Sequence, residues 1–425
     1  MRTAVLILLS FFMLAACGGG EDAGTGQTAA PRKIEGAKVI DPKAMSGAKG
    51  DVTFCAGKDV GGDKAAAVQA FNAANPQIKA KLLEFSTSAD EQRTQFVQRQ
   101  EAKSGECDVF YSDVIWTAEF ASQKWIYDMT PYAASKKAEL IPSTFETANY
   151  AGKTWAVPHT TNAALLFYRT DQVDAAPATW QDVYKGRDGI VYQGAPYEGL
   201  TCDFLELAYA AGGKVLSEDG KKPVIDSPEN LKALQFMVDG VKGGKAANGV
   251  TTYMEEESRR YFESGKATYM RNWPYAYALG EKKNSKVAGK FAAAPLPAFE
   301  GAGKAAILGG HNLVISVHSK NPGAALKLID FMVSPEQQVA LFRDFSQAPT
   351  RADAYDDPSV KKKYAFAEQL KQSVAQAKAR PVSPVYPQIS QAIYENVNAA
   401  LAGKTDPASA LKKAQSDVQA ALQTF

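Results

Sequence analysis

Apolar and polar positions switch between two periods along this chain, and the switching predicts alternating strands and helices. Val52-Thr53-Phe54-Cys55 reads as a short buried strand. Ala67, Val68, Phe71 and Ala74 then share one helical face, and Asn75-Pro76 stops that helix. Ile78 to Phe85 reads as a second strand, and Asp108 to Tyr111 as a third. Between them, Ser88 with Glu91 three residues on has the form of a capping box, opening a helix that buries Phe96 and Val97. This order of elements predicts a parallel α/β sheet.

The pattern resumes beyond residue 160. Strands are expected at 163–168, 189–192, 291–296 and 310–316. Helices are expected from Trp180, at 204–211, from Pro228, at Tyr261-Phe262, and at 322–333, 335–342, 364–374, 389–401 and 407–422. These units are too many for one small sheet and too irregular for a barrel, so two α/β lobes are expected. Pro158-His159-Thr160, 297–303 and 346–350 are the expected crossovers, which makes each lobe discontinuous in sequence.

Composition narrows the partners. The 425 residues carry 48 basic and 46 acidic side chains, a net charge of +2, with no basic block of the kind a nucleic-acid binder needs. Arg2, the apolar run Ala4 to Leu14 and Leu14-Ala15-Ala16-Cys17 before three glycines form a secretory leader. It resembles the bacterial lipoprotein signal, which implies cleavage before Cys17 and acylation of that residue; the alternative is an ordinary secretory cut near Ala16. The chain would then touch the membrane only through its lipid. Residues 17–50, almost free of aromatics, read as a flexible tether. In an oxidising compartment Cys55 and Cys107 can bridge if their strands are neighbours, leaving Cys202 as a small buried hydrophobe.

No catalytic constellation is legible. There is no Gly-x-Ser-x-Gly elbow, His-Glu-x-x-His or phosphate-binding loop, and His159, His311 and His318 lack metal-ligand spacing. The reading is therefore a non-enzyme without cofactor or metal. Glu255-Glu256-Glu257 reads as a charged helix start followed by Arg259-Arg260. What stands out is aromatic and polar residues in loops: Asp113 and Trp116 after the third strand, Tyr197-Glu198-Gly199, Arg271-Asn272-Trp273-Pro274-Tyr275 and Gly309-Gly310-His311-Asn312. Ligand crevices of open α/β sheets lie at the carboxyl ends of strands, where Asp113 falls. Rings between charged groups suit a sugar, whose C–H face packs on a π face while its hydroxyls meet charged partners.

Residues 108–120, Asp-Val-Phe-Tyr-Ser-Asp-Val-Ile-Trp-Thr-Ala-Glu-Phe, resemble the family-one solute-binding proteins of sugar ABC importers, the trehalose/maltose-binding branch above all. Further stations are Gly152 to Pro158, Leu166 to Arg169, Tyr197 to Leu200, Phe262-x-x-Gly265-Lys266-Ala267, Arg271 to Tyr275 and Gly309-Gly310-x-Asn312-Leu313, in order over residues 51–355. The resemblance implies a two-lobed, type II periplasmic-binding-protein-like fold with three crossovers. The expected division is a signal peptide at 1–16, the lipidated tether at 17–50, a first lobe at 51–158 plus 304–346, and a second at 159–303 plus 347–425. It implies a monomer outside the cytoplasm that carries an α-glucoside disaccharide to a permease driven by a cytoplasmic ATPase. Another solute (an oligosaccharide, polyol or sugar phosphate), a surface structural lipoprotein and a glycoside hydrolase are the competing readings. Carried onto this chain, Asp113 and Glu198 would accept sugar hydroxyls. Trp273 and Tyr275 would form the stacking wall, with Trp116 nearby. Gly309 and Gly310 would admit close backbone approach beside His311, and Arg351 and Arg93 would supply cations.

Overall fold

The structure, a computed structural model, describes residues 33–424; the leader and Cys17 lie outside the described residues. Eleven strands are described: β1 (Gly50–Ala56), β2 (Ile78–Glu84), β3 (Val109–Asp113), β4 (Asn149–Tyr150), β5 (Lys153–Thr154), β6 (Val157–Asn162), β7 (Leu165–Arg169), β8 (Ile190–Val191), β9 (Tyr269–Asn272), β10 (Phe291–Pro295) and β11 (Gly309–Ile315). They form a five-stranded sheet in the order β2-β1-β3-β11-β6, a four-stranded sheet in the order β10-β7-β9-β8, and the small hairpin β4-β5. Each larger sheet organises one α/β lobe.

In the first lobe β1 runs parallel to both β2 and β3, with the two helices Asp63–Ala74 and Ala89–Glu101 as the connections. This is the strand–helix alternation that the apolar periodicity predicts. Val52, Phe54, Val109, Leu313 and Ile315 are wholly buried beneath the helix Pro322–Met332. Each such side chain contributes roughly 1.5–3 kcal/mol on removal from water. β11 arrives from late in the chain and pairs antiparallel with both β3 and β6, setting His311 directly opposite Asp113. Cys55 and Cys107 are disulfide-bonded, with a Cα–Cα separation of 5.8 Å, and Cys202 is free and buried.

In the second lobe the helix Pro407–Leu422 shows why local sequence suffices for some elements. Asp406 accepts a hydrogen bond from Ser409 N at 2.9 Å, Pro407 opens the first turn, and Ala410, Leu411, Ala414, Val418 and Ala421 bury one face. That face packs on the helices Tyr386–Leu401 and Pro228–Lys242.

Three expectations need correction. The tether does not extend to residue 50. Ile40 is buried in the first-lobe core, its N–H bonds Asp128 O at 2.9 Å, and Asp41 caps the 3₁₀ turn Pro42–Met45. The paucity of aromatics hid aliphatic anchors at Ile34, Ile40 and Met45. The first crossing is also displaced. His159 and Thr160 lie inside β6 of the first sheet, so the chain passes to the second sheet at Ala163-Ala164. Finally, Ala367–Gln376 touches both the first-lobe helix Pro142–Glu146 and β10, so residues 347–425 do not pack on the second lobe alone.

The disulfide closes a loop of sequence separation 52. Replacing both Cys55 and Cys107 by Ala should lower stability by about 4 kcal/mol on the chain-entropy argument, read from urea unfolding of the mature chain.

Candidate ligand-binding cleft

The site begins at the end of β3. Asp113 is the last residue of that strand, and its Oδ1 accepts the N–H of Ile115 at 3.1 Å, which turns the chain into a 3₁₀ segment. Next to it, Tyr111 and His311 stack face to face, with centroids 4.1 Å apart and 12° between planes. Lys64, at the start of its helix, has its Nζ 5.1 Å from the centroid of the Tyr111 ring. Asp59 caps that helix by accepting from Ala65 N at 2.8 Å, so the first-loop carboxylate facing the cleft is Asp63.

The opposite wall belongs to the second lobe. β9 carries Arg271, which is 1% exposed and held by Asp203 at 2.6 Å, by Glu206 and by Gln193 Oε1 at 2.7 Å. Its guanidinium lies 4.1 Å from the centroid of Trp273 and supports that indole from behind. Pro274 ends the strand, and Tyr275 donates to Glu256 Oε1 at 2.8 Å. Glu198 opens the helix Glu198–Ala210.

Arg380 joins the two walls. Its Nη2 meets Asp113 Oδ1 at 3.1 Å and its Nη1 meets Glu198 Oε1 at 2.6 Å, and the side chain is nearly dry. Tyr386 donates to Glu198 Oε1 at 2.7 Å and Ser390 to Oε2. Burial nevertheless pushes the Glu198 carboxyl up to about 7, with Arg380 opposing the shift. Between the walls lies a cavity of about 420 Å³, within the roughly 300–1,000 Å³ common for small-molecule sites. Among the described residues no group of three or more His, Cys, Asp or Glu is placed to hold a metal.

The family model described as "Bacterial extracellular solute-binding protein" matches residues 57–339. The chain belongs to this family. A Deinococcus radiodurans protein described as a probable ABC transporter-binding protein is 35% identical over 354 residues, which cover 78% of this chain and 84% of its own. Among solved structures, maltose-bound MalE3 of T. maritima is 37% identical with a TM-score of 0.83, covering 87% of this chain and 99% of that one. An ABC transporter solute-binding protein from Thermotoga lettingae, bound with α-D-tagatose, is 26% identical with a TM-score of 0.81, covering 88% and 100%. Membership assigns a binding role rather than a catalytic one, on a bilobed fold of discontinuous lobes.

In this solute-binding protein Asp113, Glu198, Trp273, Tyr275, Gly309, Gly310 and His311 all line one cleft. Three expected residues do not. Trp116 is turned inward by the 3₁₀ segment and packs beside Phe120 in the first-lobe core. Arg93 is bound to Glu119, and its neighbour Gln92 faces the cleft instead. Arg351 is held by Asp353 at 2.8 Å and by Glu139, away from the cavity. The two glycines also serve the packing of β11. Gly310 has φ +121°, and a Cβ there would meet Thr160 O at 2.3 Å; a Cβ on Gly309 would meet the Trp273 indole at 3.3 Å. They let β11 close on β6 and on the aromatic wall. Sequence reading missed Arg380, for which Pro381 and Pro384 were the available signal, since they keep that stretch out of the flanking helices.

Removing the shared cation should be costly. Arg380→Ala leaves Asp113 and Glu198 facing each other unpaired and should cost about 3–5 kcal/mol, measured by chemical denaturation. A second outcome concerns acid. Burial pushes His159 down to about 3 from 6.5, and its Nδ1 has no partner. The unfolded chain therefore takes up a proton on this histidine below 6.5 that the folded chain refuses until about 3. This contribution is present above 6.5 and lost as pH falls. His159→Gln should show a stability-versus-pH slope shallower than wild type by about 1.4 kcal/mol per pH unit between roughly pH 6 and 4, read from urea midpoints.

Proposed function

We propose that the chain is the extracytoplasmic binding component of a carbohydrate ABC importer and that it takes an α-glucoside disaccharide such as maltose or trehalose. The observation that carries this reading is the juxtaposition of the Trp273–Tyr275 wall with the Asp113–Arg380 pair across one cavity of about 420 Å³. An indole face suits the C–H face of a pyranose, and a carboxylate with a guanidinium beside it suits paired hydroxyls. The 37% identity to a maltose-bound protein supports the same class. The 26% identity to a tagatose-bound protein favours a monosaccharide as the second reading.

In this account ligand bridges the lobes, and closure follows because the closed form binds it better. The chain bends where Ala163-Ala164 and the segment before Gly309 pass between sheets. Cys17 carries the lipid that holds the protein at the outer face of the membrane. A permease with a cytoplasmic ATPase on separate chains accepts the loaded, closed form.

Calorimetry with maltose and trehalose tests the assignment. Trp273→Ala and Asp113→Ala should each weaken binding at least tenfold, about 1.4 kcal/mol or more, with unchanged far-UV circular dichroism. Unaltered affinity in both variants would count against this site. In solution scattering, saturating sugar should reduce the radius of gyration, and a constant radius would argue against closure.

A further inference from the structure

Behind the aromatic wall, in the second lobe, lies another cavity that shares no lining residue with the cleft. It offers about 20 Å³ to the centre of a water-sized sphere, and one water needs roughly 10–15 Å³ on that measure. Ile190, Leu207, Phe236 and Met237 give it apolar sides. Some of its polar groups have partners within the protein. The Tyr184 hydroxyl donates to Phe236 O at 3.2 Å, and Glu206 accepts two N–H groups of Arg271. Three others do not. Among the described residues Trp180 Nε1, Tyr192 Oη and Asp203 Oδ1 make no hydrogen bond, although their side chains line this one cavity and are only 5%, 6% and 5% exposed.

The carboxylate among them is tied to the cleft. Asp203 Oδ2 accepts Gln193 N at 2.8 Å, and Oδ1 lies 2.6 Å from Arg271 Nε. The Nε proton, however, goes to Glu206 Oε2 at 2.8 Å, so Oδ1 has an ionic neighbour and no donor. A buried carboxylate oxygen in that state is costly, and so are a dry indole N–H and a dry hydroxyl. Two donors and one acceptor are the complement of a single water. It takes the N–H and O–H protons on its lone pairs and gives one of its own to the carboxylate, and buried waters typically make about three such bonds. We propose that this cavity is a binding site for one ordered water, held by Trp180, Tyr192 and Asp203. The water completes the carboxylate that holds Arg271, whose guanidinium backs the Trp273 indole at 4.1 Å. Trp180 and Tyr192 are thereby positioning residues for the cleft wall, though neither lines the cleft.

A high-resolution crystal structure of the full mature chain and urea unfolding of its variants test this. The map should show one water about 2.7–3.2 Å from each of Trp180 Nε1, Tyr192 Oη and Asp203 Oδ1. An empty cavity, or a water touching only one of the three, would overturn the inference. The sign of the Tyr192→Phe effect is a second readout. With the water in place the variant loses a hydrogen bond, and its urea midpoint should fall. Without it the variant sheds a buried unpaired hydroxyl, and a midpoint that stays or rises would overturn the inference. The fall should be smaller in a Trp180→Phe background, because both groups act through the same water; equal falls would contradict that sharing. The double variant should also weaken maltose binding at least threefold in calorimetry, and unchanged affinity would overturn the positioning role. This last readout rests on the carbohydrate reading of the cleft. A wild-type chain that binds no maltose would count against the α-glucoside assignment, while the map and the midpoints still decide the water site.

Discussion

Two carboxylates from different lobes share one guanidinium at the floor of the cleft, and the geometry of the site follows from that sharing. Asp113 ends the central strand of the first sheet, Glu198 begins a second-lobe helix, and Arg380 reaches both from the C-terminal third. Burying such charges is expensive, and their attraction repays the cost only when the remaining lone pairs and protons are met. Tyr386 and Ser390 meet those of Glu198, and the carbonyl of Leu308 lies 3.4 Å from Arg380 Nη2. Glu198 is thereby an anchor for the cation more than a free acceptor for ligand. Asp113 and the outward edge of Arg380 are left to face the cavity.

The same logic builds the aromatic wall one layer back. An indole on a loop is a poor stacking platform if it swings. Here Arg271 is fixed behind Trp273 by Asp203, Glu206 and Gln193, all buried. On the first-lobe side, Tyr111 and His311 stack, and the Tyr111 hydroxyl bonds Thr160 Oγ1 at 2.8 Å. Trp273, Tyr111 and Tyr275 are thus each held by a polar contact behind the ring. This is how a binding surface is kept pre-formed.

Sequence revealed what depended on short-range patterning. The parallel β1–β3 unit, the capped helix Pro407–Leu422 and the cluster at Arg271 to Tyr275 were legible because periodicity, caps and a proline mark them locally. β6 and β9 were not. Val157–Asn162 and Tyr269–Asn272 are buried throughout, yet they carry Thr, His, Asn and Arg beside core residues such as Val157 and Met270. Thr160 bonds Tyr111, and Arg271 bonds Glu206 and Gln193, partners far off in sequence that no local pattern discloses. Arg380 escaped notice for the same reason. Trp116 was expected in the site from its place in a motif and Arg351 from the family resemblance, and the turn geometry after β3 and the pair with Asp353 took them elsewhere.

The central claim is that a sugar lies between the Trp273 wall and the Asp113–Arg380 pair, touching both lobes. A crystal structure of the mature protein grown with maltose addresses it directly. The account expects a pyranose ring in van der Waals contact with the Trp273 indole and hydroxyls within hydrogen-bond distance of Asp113 and Arg380. Sugar bound outside this cleft, or bound to one lobe with the Asp113–Arg380 pair untouched, would contradict it.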